Sequence, residues 1–272
     1  MDRTAGDRTA GGAFARWDGD LYAANTAHHR QYDAAILTGV EVDPAARLLD
    51  LGCGSGDFTA TLAGLVPAGS VLGVDADSDM IRVAAGRSTA ANVEFRALLA
   101  QDIGARLPAS SFDAVVSVAT LHWVPAADQP AVLAGLARIL RPGGLFRAEF
   151  GGAGQIAATR AILDEEARRF GDGTPRWFFP EPADYRDLLH DAGFSTGDGW
   201  VRLLSQRRSI PDEQGVRGWL TSQVLVAYDS VVPPHRLIEF REAAQRRVVQ
   251  EMRRADGTFD QDYVRLDLRA RR

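Results

Sequence analysis

The sequence contains a single cysteine, Cys53, and no lysine. One cysteine excludes an intramolecular disulfide and a cysteine-rich metal site, so we expect no metal. It suits a reducing compartment without proving one. All 31 basic side chains are arginines, and the formal net charge is −5. A chain with net negative charge is a poor general binder of nucleic acids, and we expect no nucleic-acid partner.

Long apolar runs are absent as well. No run of the sequence reaches the length of a membrane span. Residues 1–12 are polar and lack the apolar centre of a signal peptide, and we read them as a disordered tail. These absences predict a cytoplasmic protein with no membrane partner, acting as a monomer or homodimer.

The rest of the chain, residues 13–272, predicts one α/β domain. Apolar runs alternate with helical segments, a rhythm typical of βαβ units and a mostly parallel sheet, with helices on both faces. Within the predicted core, residues 47–150, strands are expected at 47–51, 70–75, 92–99, 112–118 and 145–150. The helices expected between them span 56–65, 78–87 and 126–140, the second capped by Ser78.

Segments on either side of this core are free to build a substrate site. A helix predicted over residues 21–37, within an N-terminal lid at 13–40, precedes the first strand. Residues 151–260 carry expected helices at 155–170, 181–192, 212–227 and 234–254, and a strand at 200–208. An alternating strand at 263–270, within the final segment 261–272, closes the chain.

A glycine-rich loop follows the first strand and opens a helix. Gly52, Gly54 and Gly56 permit a tight turn and let a ligand approach the backbone. Their Gly-x-Gly-x-Gly spacing differs from the Gly-x-Gly-x-x-Gly of dinucleotide binders. The flanking carboxylates of Asp50 and Asp57 would repel a pyrophosphate and suit the ammonium and sulfonium of S-adenosylmethionine. Asp57 is equally well explained as a partner of the helix dipole.

A second acidic element lies at the end of the next strand. Asp75 can accept hydrogen bonds from both hydroxyls of a ribose, and the alternative is a helix-capping role. Met80, in the helix that follows, could lie against an adenine face or simply pack within the fold.

Four stretches in order, LLDLGCGSGDFT, GVDADSDMI, FDAVVSVATLHWV and RILRPGGLF, together resemble the class I S-adenosylmethionine-dependent methyltransferases over residues 47–150. The resemblance implies a Rossmann-like, seven-stranded sheet whose last strand is antiparallel, and 263–270 would fill that place. It also implies S-adenosylmethionine as the cofactor. The cofactor residues so implied are Asp50, Gly52, Cys53, Gly54, Gly56, Asp75, Ala76, Met80, Asp102, Ile103 and Val118.

One position departs from the family's pattern. Members usually carry an acidic residue just after the third strand, where it contacts the adenine amino group. By count this position falls near Leu99, and the next acid is Asp102. Either Asp102 makes the contact from a longer loop or Leu99 replaces the acid, and we favour Asp102.

Within the family the sequence is similar to the small-molecule group that contains trans-aconitate and juvenile hormone acid methyltransferases. The likeness rests on Leu121-His122-Trp123-Val124 and on residues 21–31. In that group the leading helix covers the cofactor and touches the substrate. Where relatives carry a glutamine this chain has His28, which leaves the identity of that substrate contact open.

Candidate substrate residues surround the same region. His122 is the first candidate to orient or deprotonate the acceptor, because strand ends face the ligand crevice, and His28 is the second. Aromatic rings tolerate a nearby sulfonium, and an arginine can bind a carboxylate through two hydrogen bonds. The predicted substrate residues are Trp17, Tyr22, His29, Trp123, Arg176, Trp177 and Phe178, each of which could instead serve packing or the solvated surface.

The sequence thus predicts in-line transfer of a methyl group from S-adenosylmethionine to a small molecule, with a carboxylate or hydroxyl acceptor favoured. A carboxylate is nucleophilic without a base, whereas a hydroxyl can require one. Three alternatives stay open: a cyclase or regulatory protein that binds the cofactor without methylating, a nucleic-acid methyltransferase and a nicotinamide oxidoreductase.

Overall fold

Seven strands form one sheet in the order β3-β2-β1-β4-β5-β7-β6. The computed structural model describes residues 17, 19–20, 35–175 and 177–272. The strands are β1 (Arg47–Leu51), β2 (Ser70–Asp75), β3 (Val93–Ala97), β4 (Phe112–Val118), β5 (Leu140–Gly151), β6 (Ser195–Ile210) and β7 (Phe259–Arg271). Strand β7 pairs antiparallel with β5 and β6, while the pairs among β1 to β5 are parallel. The predicted Rossmann-like sheet with an antiparallel last strand is confirmed.

Helices cover both faces of this sheet. They are α1 (Asp57–Leu65), α2 (Ser78–Arg87), α3 (Ile103–Arg106), α4 (Gln129–Ile139), α5 (Ala157–Ala167), α6 (Pro182–Asp191), α7 (Glu213–Trp219) and α8 (Leu237–Met252). In the part of the chain that the structure describes, no helix is long and apolar enough to cross a bilayer.

The central strands β1 and β4 are apolar because both of their faces are covered. Leu49 of β1 belongs to the core on one face, and its neighbour Leu48 belongs to the core on the other. Asp50 lies beside Gly73 of β2 and Val116 of β4. The carboxyl ends of these three parallel strands therefore meet at one edge of the sheet, where α/β proteins form their ligand crevice.

A third apolar core lies beyond that edge. Strands β6 and β7 continue past the end of β5 as a two-stranded arm, pairing Ile210 with Phe259 at its tip. The residues between them, 211–258, pack with α5 around Leu163, Leu220 and Phe240. We call residues 211–258 together with α5 the helical cap.

Two of the predicted elements need correction. Helix α2 is capped by Asp77 rather than Ser78, because the Asp77 carboxylate accepts from the backbone N–H of Asp79 at 2.8 Å. In place of the continuous α-helix expected over 212–227, the α-helix ends at Trp219. It is followed by a π-helical turn and then by a 3₁₀ turn. Leu220, Val224 and Tyr228 of this segment are all buried. Tertiary packing therefore determines the backbone here, in place of a regular α-helical repeat.

Other boundaries shift by a few residues. The third strand is shorter than 92–99, and the α-helix expected over 126–140 begins at Gln129 after a 3₁₀ turn. Of the helix predicted over 21–37, residues 35–37 are helical and residues 21–34 lie outside the described part, as does the predicted tail at 1–12. The buried guanidinium of Arg147 donates to the backbone oxygen of Ile36 at 3.1 Å, which fixes this segment to the sheet.

Candidate active site

The glycine loop after β1 has the backbone conformation that its composition predicts. Gly52, Gly54 and Gly56 have φ values of 77°, 51° and 83°, in the left-handed region that favours glycine. The backbone N–H groups of Gly52 and Cys53 both donate to the oxygen of Val74, at 2.7 and 2.9 Å. The loop is thereby held against the end of β2.

The end of β4 closes tightly over the same loop. A Cβ atom at Gly52 would lie 1.9 Å from Oγ1 of Thr120, so no larger residue fits there. The Thr120 hydroxyl lies within hydrogen-bond distance of the backbone oxygens of Gly52 and Val118. Ala119 holds φ at 56°, an unusual value for alanine that re-aims the chain after β4. Sequence reasoning missed Ala119 and Thr120, since their roles depend on this long-range contact.

Asp75 ties the end of β2 to the glycine loop. Its Oδ2 accepts from the backbone N–H of Gly54 at 3.0 Å, and its Oδ1 accepts from that of Asp77 at 2.9 Å. Burial raises the pKa of this carboxyl above its ordinary value, and the backbone N–H donors oppose that rise. Each oxygen has a further lone pair, so the carboxylate can still accept from a diol.

The two carboxylates that flank the loop differ in their surroundings. Asp50 is 1% exposed, and its Oδ2 accepts from the Thr59 hydroxyl at 2.6 Å, which places its charge beneath the loop. Asp57 starts α1 and forms an ion pair with Arg87 at 3.0 Å. Its place in the first turn of α1 is the one that the helix-dipole interpretation of Asp57 requires. Cys53 is buried in the loop, and burial raises the pKa of its thiol.

A groove of about 490 Å³ lies next to Asp75. Ala76, Leu99 and Asp102 line it, so both candidates for the adenine contact face the same space. Ile103 is fully buried in the apolar core that contains Leu49, so its side chain does not line the groove. Met80 is buried on α2, and Val118 is half-buried at the end of β4.

His122 lies just beyond β4 in a short 3₁₀ turn, Leu121–Trp123. The backbone N–H of Gly151, at the end of β5, donates to its Nδ1 at 3.3 Å. Burial lowers the pKa of this imidazole well below its ordinary value, and the nearby Arg265 guanidinium lowers it further. His122 is therefore neutral at pH 7, with its proton on Nε2.

Aromatic rings surround His122. Its ring centroid lies 5.4 Å from that of Trp123 and 5.7 Å from that of Phe179. Trp123 also adjoins Trp17 at 5.1 Å and Trp177 at 5.9 Å, so the structure brings these predicted residues together.

Not every predicted residue joins this cluster. Phe178 packs against Tyr185 in the apolar core that contains Leu49, whereas its neighbour Phe179 adjoins His122. Tyr22, His28, His29 and Arg176 lie outside the described residues. Among the residues that are described, no group of three or more His, Cys, Asp or Glu side chains could hold a metal ion.

The site fits S-adenosylmethionine in two respects. The glycine loop has left-handed backbone angles and no side chains at Gly52, Gly54 and Gly56, which leaves its backbone open to a ligand, and Asp75 beside it offers a carboxylate suited to a diol. These features occur at the carboxyl edge of a sheet with the methyltransferase strand order.

Comparison with known proteins agrees with this assignment. Residues 48–144 match a family described as a methyltransferase domain. The chain is 29% identical to a trans-aconitate 2-methyltransferase of Mycolicibacterium gilvum, over 94% of this chain and 98% of that protein. It is 32% identical to a trans-aconitate 2-methyltransferase of Deinococcus radiodurans, over 68% of this chain and 71% of that protein.

A solved structure shows the same fold. Phosphoethanolamine N-methyltransferase 2 of Haemonchus contortus, in complex with S-adenosyl-L-methionine, superposes with a TM-score of 0.59 at 16% identity, covering 93% of this chain and 56% of that one. Fold and relatives together define a methyltransferase enzyme that uses S-adenosylmethionine. The chain belongs to the class I S-adenosylmethionine-dependent methyltransferases and is close to the trans-aconitate 2-methyltransferase group within them.

Proposed function

We propose that this enzyme transfers the methyl group of S-adenosylmethionine to a carboxylate oxygen of a small-molecule acid. The proposal rests on the hydrogen bond from the Gly151 backbone N–H to Nδ1 of His122. An imidazole that accepts at Nδ1 and is neutral carries its proton on Nε2. His122 then presents a hydrogen-bond donor and has no free lone pair with which to deprotonate a hydroxyl.

A donor at this position suits an acceptor that is already ionised. A carboxylate is nucleophilic at neutral pH and needs only to be held in line with the methyl–sulfur bond. Nε2 of His122 can bind one carboxylate oxygen and leave the other free to attack. When bound, S-adenosylmethionine would supply an electrophilic methyl group, with a neutral thioether as the leaving group when the methyl ester forms.

A buried carboxylate of β5 is already held in an ion pair. Glu149 of β5 accepts from Nε of Arg265 at 3.0 Å, and both side chains are buried. The Glu149 carboxylate is therefore already engaged by the Arg265 guanidinium. Because His122 offers a donor at Nε2 and no free lone pair, the proposed site favours acids over alcohols as acceptors.

The relatives support the same class of acceptor, since the names of two of them specify trans-aconitate. For the cofactor we propose the glycine loop, Asp75 and either Asp102 or Leu99 as its contacts. The aromatic residues Trp17, Trp123 and Trp177 would enclose the acceptor. Action in the cytoplasm on a free small molecule, without nucleic acid, as a monomer or homodimer, also remains a proposal.

The test is a panel of acceptors incubated with methyl-labelled cofactor. The panel contains trans-aconitate and other small acids, together with alcohols, phenols and amines of similar size. We expect label in acids only. Transfer to alcohols, phenols or amines but not acids would contradict the proposal, and so would cofactor binding without transfer to any acceptor.

A further inference from the structure

Arg160 lies beside the aromatic cluster formed by Trp17, His122, Trp123, Trp177 and Phe179. It belongs to α5 in the helical cap, and its guanidinium carbon lies 5.1 Å from the ring centre of Phe179 and 5.8 Å from that of Trp177. Phe179 in turn adjoins His122 at 5.7 Å between ring centres. One aromatic ring therefore separates Arg160 from the proposed acceptor-binding histidine.

Two buried donors at this cluster lack acceptors. Nε of Arg160 and Nε1 of Trp177 are both buried, and neither has a hydrogen-bond partner within the described ranges. Arg160 forms no ion pair with any residue that the structure describes. The acid one turn away, Asp164, accepts from the Tyr228 hydroxyl at 2.7 Å instead. Burying a donor without an acceptor is costly, so such pairs mark places where a ligand or water binds.

Three buried arginines of the sheet show the contrast, and one of them, Arg269, donates to the backbone oxygens of Gly39 and Asp198. Arg147 is paired with Asp267, and Arg265 is paired with Glu149. Arg160 instead stacks on two aromatic rings, which orient its guanidinium, while its Nε has no acceptor among the described residues.

We propose that Arg160 and Trp177 form a subsite for a second anionic group of the acceptor, remote from the carboxylate that is methylated. This inference rests on the proposed function, because that function places the methylated carboxylate at His122. The subsite takes an oxyanion, either a carboxylate or a phosphate-type group, since both accept from a guanidinium and an indole N–H. It makes Arg160 and Trp177 determinants of acceptor specificity.

The test measures binding by calorimetry to the full chain saturated with S-adenosylhomocysteine. The probes are glutarate, 3-phosphonopropionate and glutaramate, the last of which replaces the second anion by a neutral amide. We expect one of the doubly charged probes to bind about tenfold or more tightly than glutaramate. Which one binds better distinguishes a carboxylate from a phosphate-type group.

Variants assign this preference to the subsite. Arg160→Gln should abolish it, Arg160→Lys should restore part of it, and Trp177→Phe, which retains the ring but loses the N–H, should reduce it severalfold. Arg169→Gln, at an exposed arginine just beyond α5, should leave it unchanged. Thermal unfolding of each variant checks that the protein is folded.

Two results would overturn the subsite: equal binding of charged and neutral probes by the wild type, or a preference that persists in Arg160→Gln. These are separate from failure of the proposed function. If doubly charged probes bind selectively while no carboxylate is ever methylated, the function fails and the subsite stands. If acids are methylated without any preference for a second charge, the subsite fails alone.

Discussion

The backbone N–H of Gly151 donates to Nδ1 of His122 at 3.3 Å, joining the end of β5 to the turn that follows β4. This contact fixes which imidazole nitrogen carries the proton. The sequence alone leaves His122 either to orient or to deprotonate the acceptor, and this contact favours the orienting role by leaving a hydrogen-bond donor at Nε2.

Replacing His122 tests that role. His122→Phe retains an aromatic ring but loses the donor, and a hydrogen bond to a charged group contributes about 1.5–3 kcal/mol. We expect kcat/KM for the acid acceptor to fall roughly 10- to 150-fold. His122→Gln, whose amide can place an N–H near the position of Nε2, should retain more activity than His122→Phe. The reverse order would contradict a donor role.

The same histidine predicts a dependence of stability on pH. Its folded-state pKa is lowered from the ordinary value of 6.5, so below that pH the unfolded chain binds a proton that the folded chain does not. The free energy of unfolding should decrease as the pH falls below about 6.5. Urea unfolding across this range should show a smaller decrease for His122→Gln. An identical decrease in both proteins would show that His122 is not buried in its neutral form.

Gly52 should tolerate no side chain. Gly52→Ala would place Cβ against Thr120 in a backbone conformation that costs alanine about 1–2 kcal/mol before any clash. We expect a lower unfolding temperature and cofactor binding at least tenfold weaker by titration calorimetry. Gly64→Ala is the matched control, because this helical glycine has open space around it. It should stabilise α1 by about 0.5–1 kcal/mol and leave cofactor affinity unchanged.

Asp75 should be essential for the cofactor loop. In Asp75→Asn one oxygen becomes an NH₂ group, which cannot accept from Gly54 or Asp77. The substitution also removes a charged hydrogen-bond acceptor for the ribose diol. For both reasons we expect cofactor affinity to fall by roughly tenfold to a hundredfold. Asp57→Asn, which weakens the exposed pair with Arg87 and the hydrogen bond from the Ser55 hydroxyl, should bind nearly as well as the wild type. Equal affinity of the two variants would exclude Asp75 as a cofactor contact.

The ion pair between Arg147 and Asp267 should matter more than any surface pair. Both side chains are at most 2% exposed, and Asp267 also accepts from Nε1 of Trp200 at 2.6 Å. Breaking a buried pair costs about 3–5 kcal/mol, so Asp267→Leu should strongly destabilise the protein in chemical unfolding. Glu242→Leu, in the exposed pair with Arg246, should cost less than about 1 kcal/mol.

Much of the fold was predictable from local patterns. Strand β4 matches its predicted range because a continuous apolar run buried on both faces has few alternatives. The glycine loop was predictable because its backbone angles demand glycine. The segment after Trp219 was not, since its π-helical and 3₁₀ turns are imposed by packing within the helical cap.

The candidate site, like the fold, could be predicted from the sequence only in part. The positions of His122 and Asp75 follow from strand ends, which a sequence can reveal. The significance of Arg160 does not, because it is one arginine among 31 basic residues and its neighbours Trp177 and Phe179 come from a distant loop. Only the fold distinguishes an arginine without an acceptor from one in an ion pair.

The most direct measurement of the central claim is the chemical lability of the labelled product. The enzyme, methyl-labelled S-adenosylmethionine and the best acid acceptor are incubated together, and the isolated product is treated with alkali. Methylation of a carboxylate predicts a methyl ester, which releases its label as volatile methanol. A product that retains its label in alkali would place the methyl group on an ether oxygen, a nitrogen or a carbon, and would contradict the account.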